Sequence, residues 1–189
     1  MLLRRLLPIL LLCAACDGPA QGVGGGEPAA LTSRAAEGRT LPELTGRVVD
    51  KAGLISADTE RGLSLTLQKL EQETTDQVVV VTVPDLAGEA IESLGLRLGR
   101  GWGIGQKDVN NGVLLIVAPN DRKVRIEVGY GLEGLLTDDR AKAIITDPLL
   151  PAFRAGRFEE GISSGVSEIA TVLRSDRLRP QLKQAAAGS

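Results

Sequence analysis

The chain has 189 residues, with 22 Lys and Arg against 24 Asp and Glu, two Cys and no His. The missing imidazole excludes a Ser-His-Asp triad, a Cys-His pair, a His-ligated metal and a histidine phosphate relay within this chain. Both thiols, Cys13 and Cys16, lie in the first sixteen residues, so the rest of the chain has no disulfide framework, zinc finger or cysteine nucleophile. A net charge of −2, with Trp102, Tyr130, Phe153 and Phe158 as the only aromatic residues, leaves little for phosphate-backbone attraction or base stacking. No nucleic-acid partner is expected. The length suits a single domain with a core of ordinary size.

The first sixteen residues read MLLRRLLPILLLCAAC. Arg4 and Arg5 form a positive start, Leu6 to Leu12 an apolar stretch, and Ala14 and Ala15 stand directly before Cys16. The run is far shorter than the roughly 20 apolar residues a bilayer span needs. It resembles a bacterial lipoprotein signal over residues 1–15, cut before a cysteine that is then acylated, although Cys13 stands where Leu is usual. The other reading is an ordinary secretory signal cut nearby. The resemblance implies an exported protein, lipid-anchored at Cys16 on the periplasmic side of the cell envelope, with several acyl chains giving firm attachment. Residues 16–41 then read as a flexible tether: between 17 and 45 there are six Gly, three Pro and five Ala, and no apolar periodicity. The folded domain is expected over 42–175, followed by a polar, Ala-rich, disordered tail at 176–189.

Within the domain the pattern alternates. Ser56 is a good N-cap, Asp58 and Glu60 suit a first turn, and Leu63, Leu67 and Leu70 follow at helical spacing. Gln77 to Val83 is a β-branched strand covered on both faces. Ile91, Leu94 and Leu98 mark a second helix ending near Gly99 and Gly101, and Gly112 to Ala118 is another buried strand. A turn at Pro119-Asn120-Asp121 precedes the alternating Val124, Ile126 and Val128, so a hairpin is expected. Thr137 caps a helix bearing Ala141, Ile144 and Ile145; Asp147-Pro148 starts a new turn; and Phe158, Ile162, Val166, Ile169 and Leu173 make a final amphipathic helix. The expected fold class is α/β: a three-layer-like sandwich with a small mixed sheet packed between helices. Ser163-Ser164 on the last helix reads as small-residue packing.

Two loops carry the functional candidates: Trp102 to Asn111, and Gly129 to Asp139. The second contains G-x-G-x-x-G at Gly129, Gly131 and Gly134. Dinucleotide binding needs a helix that starts at those glycines, after a crossover strand. Here Asp138 and Asp139 stand where phosphate would sit, and the preceding strand belongs to a hairpin, so no nucleotide cofactor is expected. Asp108, Asn110, Asn111, Glu133, Asp138 and Asp139 offer oxygen donors, which suit Ca²⁺ or Mg²⁺ rather than a softer metal. Against this, the Asn residues suit a turn and the Asp pair suits a helix N-terminus. Lys107 is positioned to steer an anion such as phosphate, or is simply solvated. Tyr130, between two glycines, either hydrogen-bonds a ligand or packs on its loop. No aspartyl-phosphate Asp-x-Asp pair, nucleophile elbow or Walker loop is present.

The succession Val49-Asp50-x-Ala52-Gly53-Leu54-Ile55, QVVVVTV, WGIGQKDVNNGVLLIVAPNDRKVRIEVGYGLEGLLTDDRA and Pro151-Ala152-Phe153-Arg154-Ala155-Gly156 resembles the TPM domain family. That family includes bacterial envelope proteins and thylakoid-lumen proteins linked to photosystem II repair. The resemblance implies an α/β fold with an acidic, Ca²⁺-capable cleft, and site positions at Asp50, Asp108, Asn110, Asn111, Glu133 and Asp138. Asn110 departs from the Asp frequent there in relatives, which removes one charge and weakens cation affinity. Two functional expectations follow. One is a membrane-tethered accessory or binding module, with a membrane-protein partner, serving assembly or quality control. The other is a metal-assisted acid phosphatase, an activity assigned to a plant relative. A quinone or dehydrogenase site finds no support in these residues.

Overall fold

The computed structural model describes residues 40–187, with side chains to residue 175. Cys16, the signal and the tether up to residue 39 lie outside the described residues, as do the side chains of the 176–189 tail. The elements are β1 (Val48–Asp50), α1 (Ala57–Thr74), β2 (Gln77–Thr82), α2 (Ile91–Trp102), β3 (Gly112–Ala118), β4 (Lys123–Val128), a 3₁₀ turn (Tyr130–Leu132), α3 (Asp138–Ile144), a π turn (Ile145–Leu149), α4 (Leu150–Arg154) and α5 (Phe158–Ala187). One sheet has the order β1-β2-β3-β4, the first two pairs parallel and the last antiparallel. It is the expected mixed sheet between helices.

The central strands explain the layering. All seven residues of β3 are buried, and successive side chains point to opposite faces. Val113, Leu115 and Val117 join Val48, Val78 and Val80 in one core, roofed by α1, α3 and α5 through Leu67, Ile144 and Ile169. Leu114, Ile116 and Ala118 join Val49, Val79 and Val81 in a second core under Ile91, Leu94 and Leu98 of α2. The parallel crossovers therefore place α1 and α2 on opposite faces while the strand order advances in one direction. Two such connections have opposite hands, so one of them is the rare left-handed kind.

Several boundaries differ from the sequence reading. β1 is an added strand; three residues are too few to show a period. α2 runs through Gly99 and Gly101 to Trp102, and Gly103 (φ +62°) caps it in the left-handed region. Gly101 faces a close neighbour: a Cβ there would lie 2.5 Å from Leu41. Leu41 packs against the second core, and Pro42 O accepts from the Trp102 indole N–H at 2.9 Å. The last residue assigned to the tether thus belongs to the domain. Asp147-Pro148 does not end the helix. Pro148 lacks an amide donor, and the chain widens into a π turn in which Leu150 N–H bonds Ile145 O before α4 continues. On α1, Leu63 is buried whereas Leu65, two positions on, is 66% exposed, as helical spacing requires.

Two carboxylates link the long helices on one face: Glu73 of α1 pairs with Arg174 of α5 at 2.7 Å, and Glu159 latches the other end. Glu159, in the first turn of α5, accepts from the hydroxyls of Ser56 (2.8 Å) and Thr59 and from Ser56 N–H (3.3 Å), at the start of α1. The Thr59 hydroxyl first, then that of Ser56, holds the Glu159 carboxyl below its ordinary value of 4.5. A lowered folded value means that the latch stabilises the fold above pH 4.5 and is lost as pH falls through the folded value. Urea titrations at pH 7 and pH 3 check this. Glu159→Gln is expected to lower the midpoint at pH 7 and to cost less at pH 3 than at pH 7.

Candidate functional site

The two glycine-rich loops meet at the edge of the sheet where β2 and β3 begin. Their contact is backbone to backbone. Gly129 N–H donates to Gly112 O (2.8 Å) and Gly131 N–H to Asn110 O (3.1 Å). A Cβ on Gly129 would lie 2.2 Å from Asn110 O, and one on Gly131 would lie 2.0 Å from Val109 O. Gly105 (φ +96°) and Gly112 are equally confined: a Cβ on Gly105 would sit 2.8 Å from Gly112 N, and one on Gly112 2.6 Å from Ile104 O. These glycines are needed for approach, not for phosphate. The strand before Gly129 is antiparallel, and α3 begins only at Asp138.

A polar network holds the first loop from below. Asn111, 2% exposed, accepts from Gln106 N–H (2.8 Å) and donates to Thr75 O (2.7 Å) and Asp76 Oδ1 (3.3 Å). Gln77 accepts from Gly105 N–H (2.8 Å) and donates to Glu71 (3.1 Å), which in turn pairs with Arg47. Gln77, Glu71 and Asp76 were not among the candidates; the one signal was a glutamine opening an otherwise apolar strand.

Above this network lies a cleft of about 480 Å³ between α2, the two loops and the end of β4. Lys107, Asn110, Tyr130 and Glu133 line it, with Glu127 and Arg100. Tyr130 is 81% exposed. Four of the sequence candidates thus share one surface.

The others do not join them. Asp50 ends β1, level with Thr82 and Val117, whereas Asn111 precedes Gly112. At about 3.3 Å per residue, the run from Gly112 to Val117 separates the two levels by about 16 Å. Asp50 is a turn acceptor: its carboxylate takes Leu54 N–H (3.1 Å), Ile55 N–H (2.8 Å) and the Thr82 hydroxyl. Asp108 (φ +71°) and Asn110 (φ +53°) hold left-handed turns that Asp and Asn tolerate better than most residues. Asp138 follows the N-cap Thr137 in the first turn of α3 and does not line the cleft. Among the described residues no group of three or more Asp, Glu, His or Cys is arranged to hold a metal. The six oxygen-bearing candidates do not fit one coordination sphere, because Asp50 and Asn111 are already engaged by their own surroundings.

Gly131→Ala is expected to force the two loops apart and destabilise the domain by about 2 kcal/mol. Chemical denaturation reads the loss, and amide shifts confined to residues 103–111 and 128–136 locate it.

The family comparison agrees with this architecture. The model for the TPM domain matches residues 48–172. The N-terminal domain of a P. gingivalis protein, solved in solution by NMR, is 39% identical, with TM-score 0.66 over 70% of this chain and 84% of that one. The N-terminal domain of a Corynebacterium glutamicum protein is 15% identical, with TM-score 0.54 over 70% of this chain and 83% of its own. The BA42 protein of the psychrophilic Bizionia argentinensis is 18% identical, with TM-score 0.56 over 64% of this chain and 82% of its own. These last two share the fold. No curated protein is significantly similar in sequence. With two thirds of its length matched by the family model and a 39% identical relative of the same fold, the chain belongs to the TPM domain family.

Proposed function

We propose that this TPM-domain protein is a membrane-tethered binding module of the cell envelope, whose loop cleft receives a segment of a membrane-protein partner during assembly or quality control. The cleft carries the reading. Its rim combines an exposed phenol, Tyr130, with Lys107 and Glu133, on loops pinned by backbone contacts and by the Asn111 network. An aromatic anchor on a stiff loop loses little conformational freedom on docking and suits the centre of an interface. The Lys107 and Glu133 charges set orientation and discourage wrong partners more than they add affinity. Attachment follows from the lipoprotein-type signal and Cys16, with the tether supplying reach.

A hard cation has a place in the same reading. Asn110 and Glu133 line the cleft, and Asp108 lies two residues before Asn110. Of these only Glu133 and Asn110 line the cleft, and one carboxylate and one amide make a low-charge donor set, so Ca²⁺ or Mg²⁺ binds there only in the roughly millimolar range. Metal-assisted hydrolysis asks for more: a cation, a phosphate and an activating carboxylate at one centre. Asp138 does not line the cleft, and binding without turnover is the reading we favour.

Three measurements test this. In cells, Cys16→Ser is expected to move the protein from the membrane to the soluble fraction; retention on the membrane after a high-salt wash overturns the anchor. Calorimetry with Ca²⁺ should give a saturable signal near millimolar metal that Glu133→Gln removes, and a flat trace leaves the cleft without a cation. Phosphomonoester turnover with added Ca²⁺ or Mg²⁺ is expected to be absent. Activity that disappears in Asp138→Ala would establish the phosphatase instead.

A further inference from the structure

The opposite end of the sheet carries a second cavity, of about 670 Å³, between the β3–β4 hairpin and the α4–α5 corner. Its floor is apolar, with Leu150 beside Phe153 and Phe158, whose rings lie 5.0 Å apart. Arg122, Lys123 and Arg154 stand around it, all exposed. Among the described residues none of the three has an ion-pair partner, although Arg47, Arg97, Arg125, Arg157 and Arg174 all do. Arg122 also holds φ +54°, a conformation that costs a side-chain-bearing residue roughly 1–2 kcal/mol and that Gly or Asn would adopt with less strain. An arginine kept there, with no partner inside the fold, is available to a partner outside it.

Asp121, Asp85, Glu159 and Glu160 are engaged by neighbours within the fold. Asp121 accepts from Leu86 N–H (2.7 Å), Asp85 from Ala87 N–H (3.0 Å), Glu159 from the start of α1, and Glu160 pairs with Arg157. Thr40, where the described chain begins, lines a depression with Lys51, Pro84 and Asp85. Pro84 O accepts from Asn120 N–H of the hairpin at 3.2 Å. Thr40 thus lines a depression that reaches the hairpin end of the sheet, while Leu41 and Pro42 pack on Gly101 and Trp102 at the far end of α2. The 23 residues from Asp17 to Arg39, if Gly-rich coil, span about 26 Å on average, which keeps the domain within reach of any membrane holding Cys16.

We infer that this cavity is a docking site for the phosphate-bearing headgroup of an anionic membrane lipid, with Arg122, Lys123 and Arg154 taking the phosphate and Phe153 and Phe158 taking the apolar part next to it. The inference rests on the tether reading above, but the contact itself needs no anchor. It turns the cleft at the β2–β3 starting edge away from the bilayer and towards a partner. Basic side chains at an anionic surface act additively and are weakened by salt, whereas an apolar contact persists.

The test uses the chain from Asp17 onward, without acyl groups. Residues 48–173 hold both cores within themselves, and the isolated N-terminal domain of the P. gingivalis relative folds in solution. Cosedimentation with phosphatidylglycerol vesicles is expected, and none with phosphatidylcholine vesicles. The double variant Arg122→Ala, Arg154→Ala should bind roughly 30-fold more weakly, while Lys107→Ala, at the other end, should bind as the parent does. Retained amide dispersion in the double variant separates lost binding from lost folding. Equal weakening by Lys107→Ala overturns the site in favour of diffuse charge. Binding of inorganic phosphate or an acidic peptide that depends on Arg122 and Arg154, with no vesicle binding, overturns the lipid as occupant. Because this site alone can hold Cys16→Ser on the membrane, the acyl anchor is read after a high-salt wash: release of Cys16→Ser with retention of the parent supports the anchor, and equal retention refutes it and leaves this site standing.

Discussion

The central constraint on this molecule is a strand that has no solvent face. β3 is buried along its whole length, so both of its side-chain rows need a helical cover. α1 and α5 supply one and α2 the other, and the three layers follow. Parallel neighbours on one side and a hairpin on the other enclose β3, so the loops are gathered at the two ends of the sheet. Everything with a chance of binding something is pushed to those ends, because a buried loop would strand its own amides and carbonyls.

At one end, the two loops satisfy that requirement against each other. Gly112, Gly129 and Gly131 remove the side chains that would otherwise hold the backbones apart, and the amides then pair directly. The closeness is what makes the cleft a fixed shape. Asn111 and Gln77 do the same work underneath, as side chains that replace backbone partners. A surface built in this way offers Tyr130, Lys107 and Glu133 without the ordering cost that a loose loop would carry.

The other end is organised by charge instead of by close approach. Asp50, Asp121 and Glu159 each accept from amides or hydroxyls of neighbouring turns. The cations that remain face water beside two phenylalanine rings. The carboxylates most visible in the sequence at this end thus serve the fold, and the basic residues, which had drawn no notice, are the ones left unengaged. Glycine works here too. Gly161 and Gly165 on α5 admit Phe153 and Leu149, and a Cβ at either would lie within 2.6 Å of those side chains. That close packing sets the corner on which Phe153 and Phe158 sit.

The sequence by itself determined the class of the fold, because period and burial are written locally. Ser56 and Thr137 cap the helices they were expected to cap, and the strands at 77 and 112 show their two covered faces as unbroken apolar runs. It also determined that the glycine loops belong together, through the motifs shared with the TPM domain family. Only the tertiary structure decided which polar residues meet. Asp50 and Asn111 look like neighbours in a list of oxygen donors, yet the strand register puts them at opposite ends of the sheet. Likewise Lys107, Asn110, Tyr130 and Glu133 come from two loops that share a surface only because the β3–β4 hairpin brings the end of β4 back beside the start of β3. Residue type and spacing report the local conformation a segment prefers. Which donors converge depends on register and crossover, and those are set by packing between elements distant in the chain.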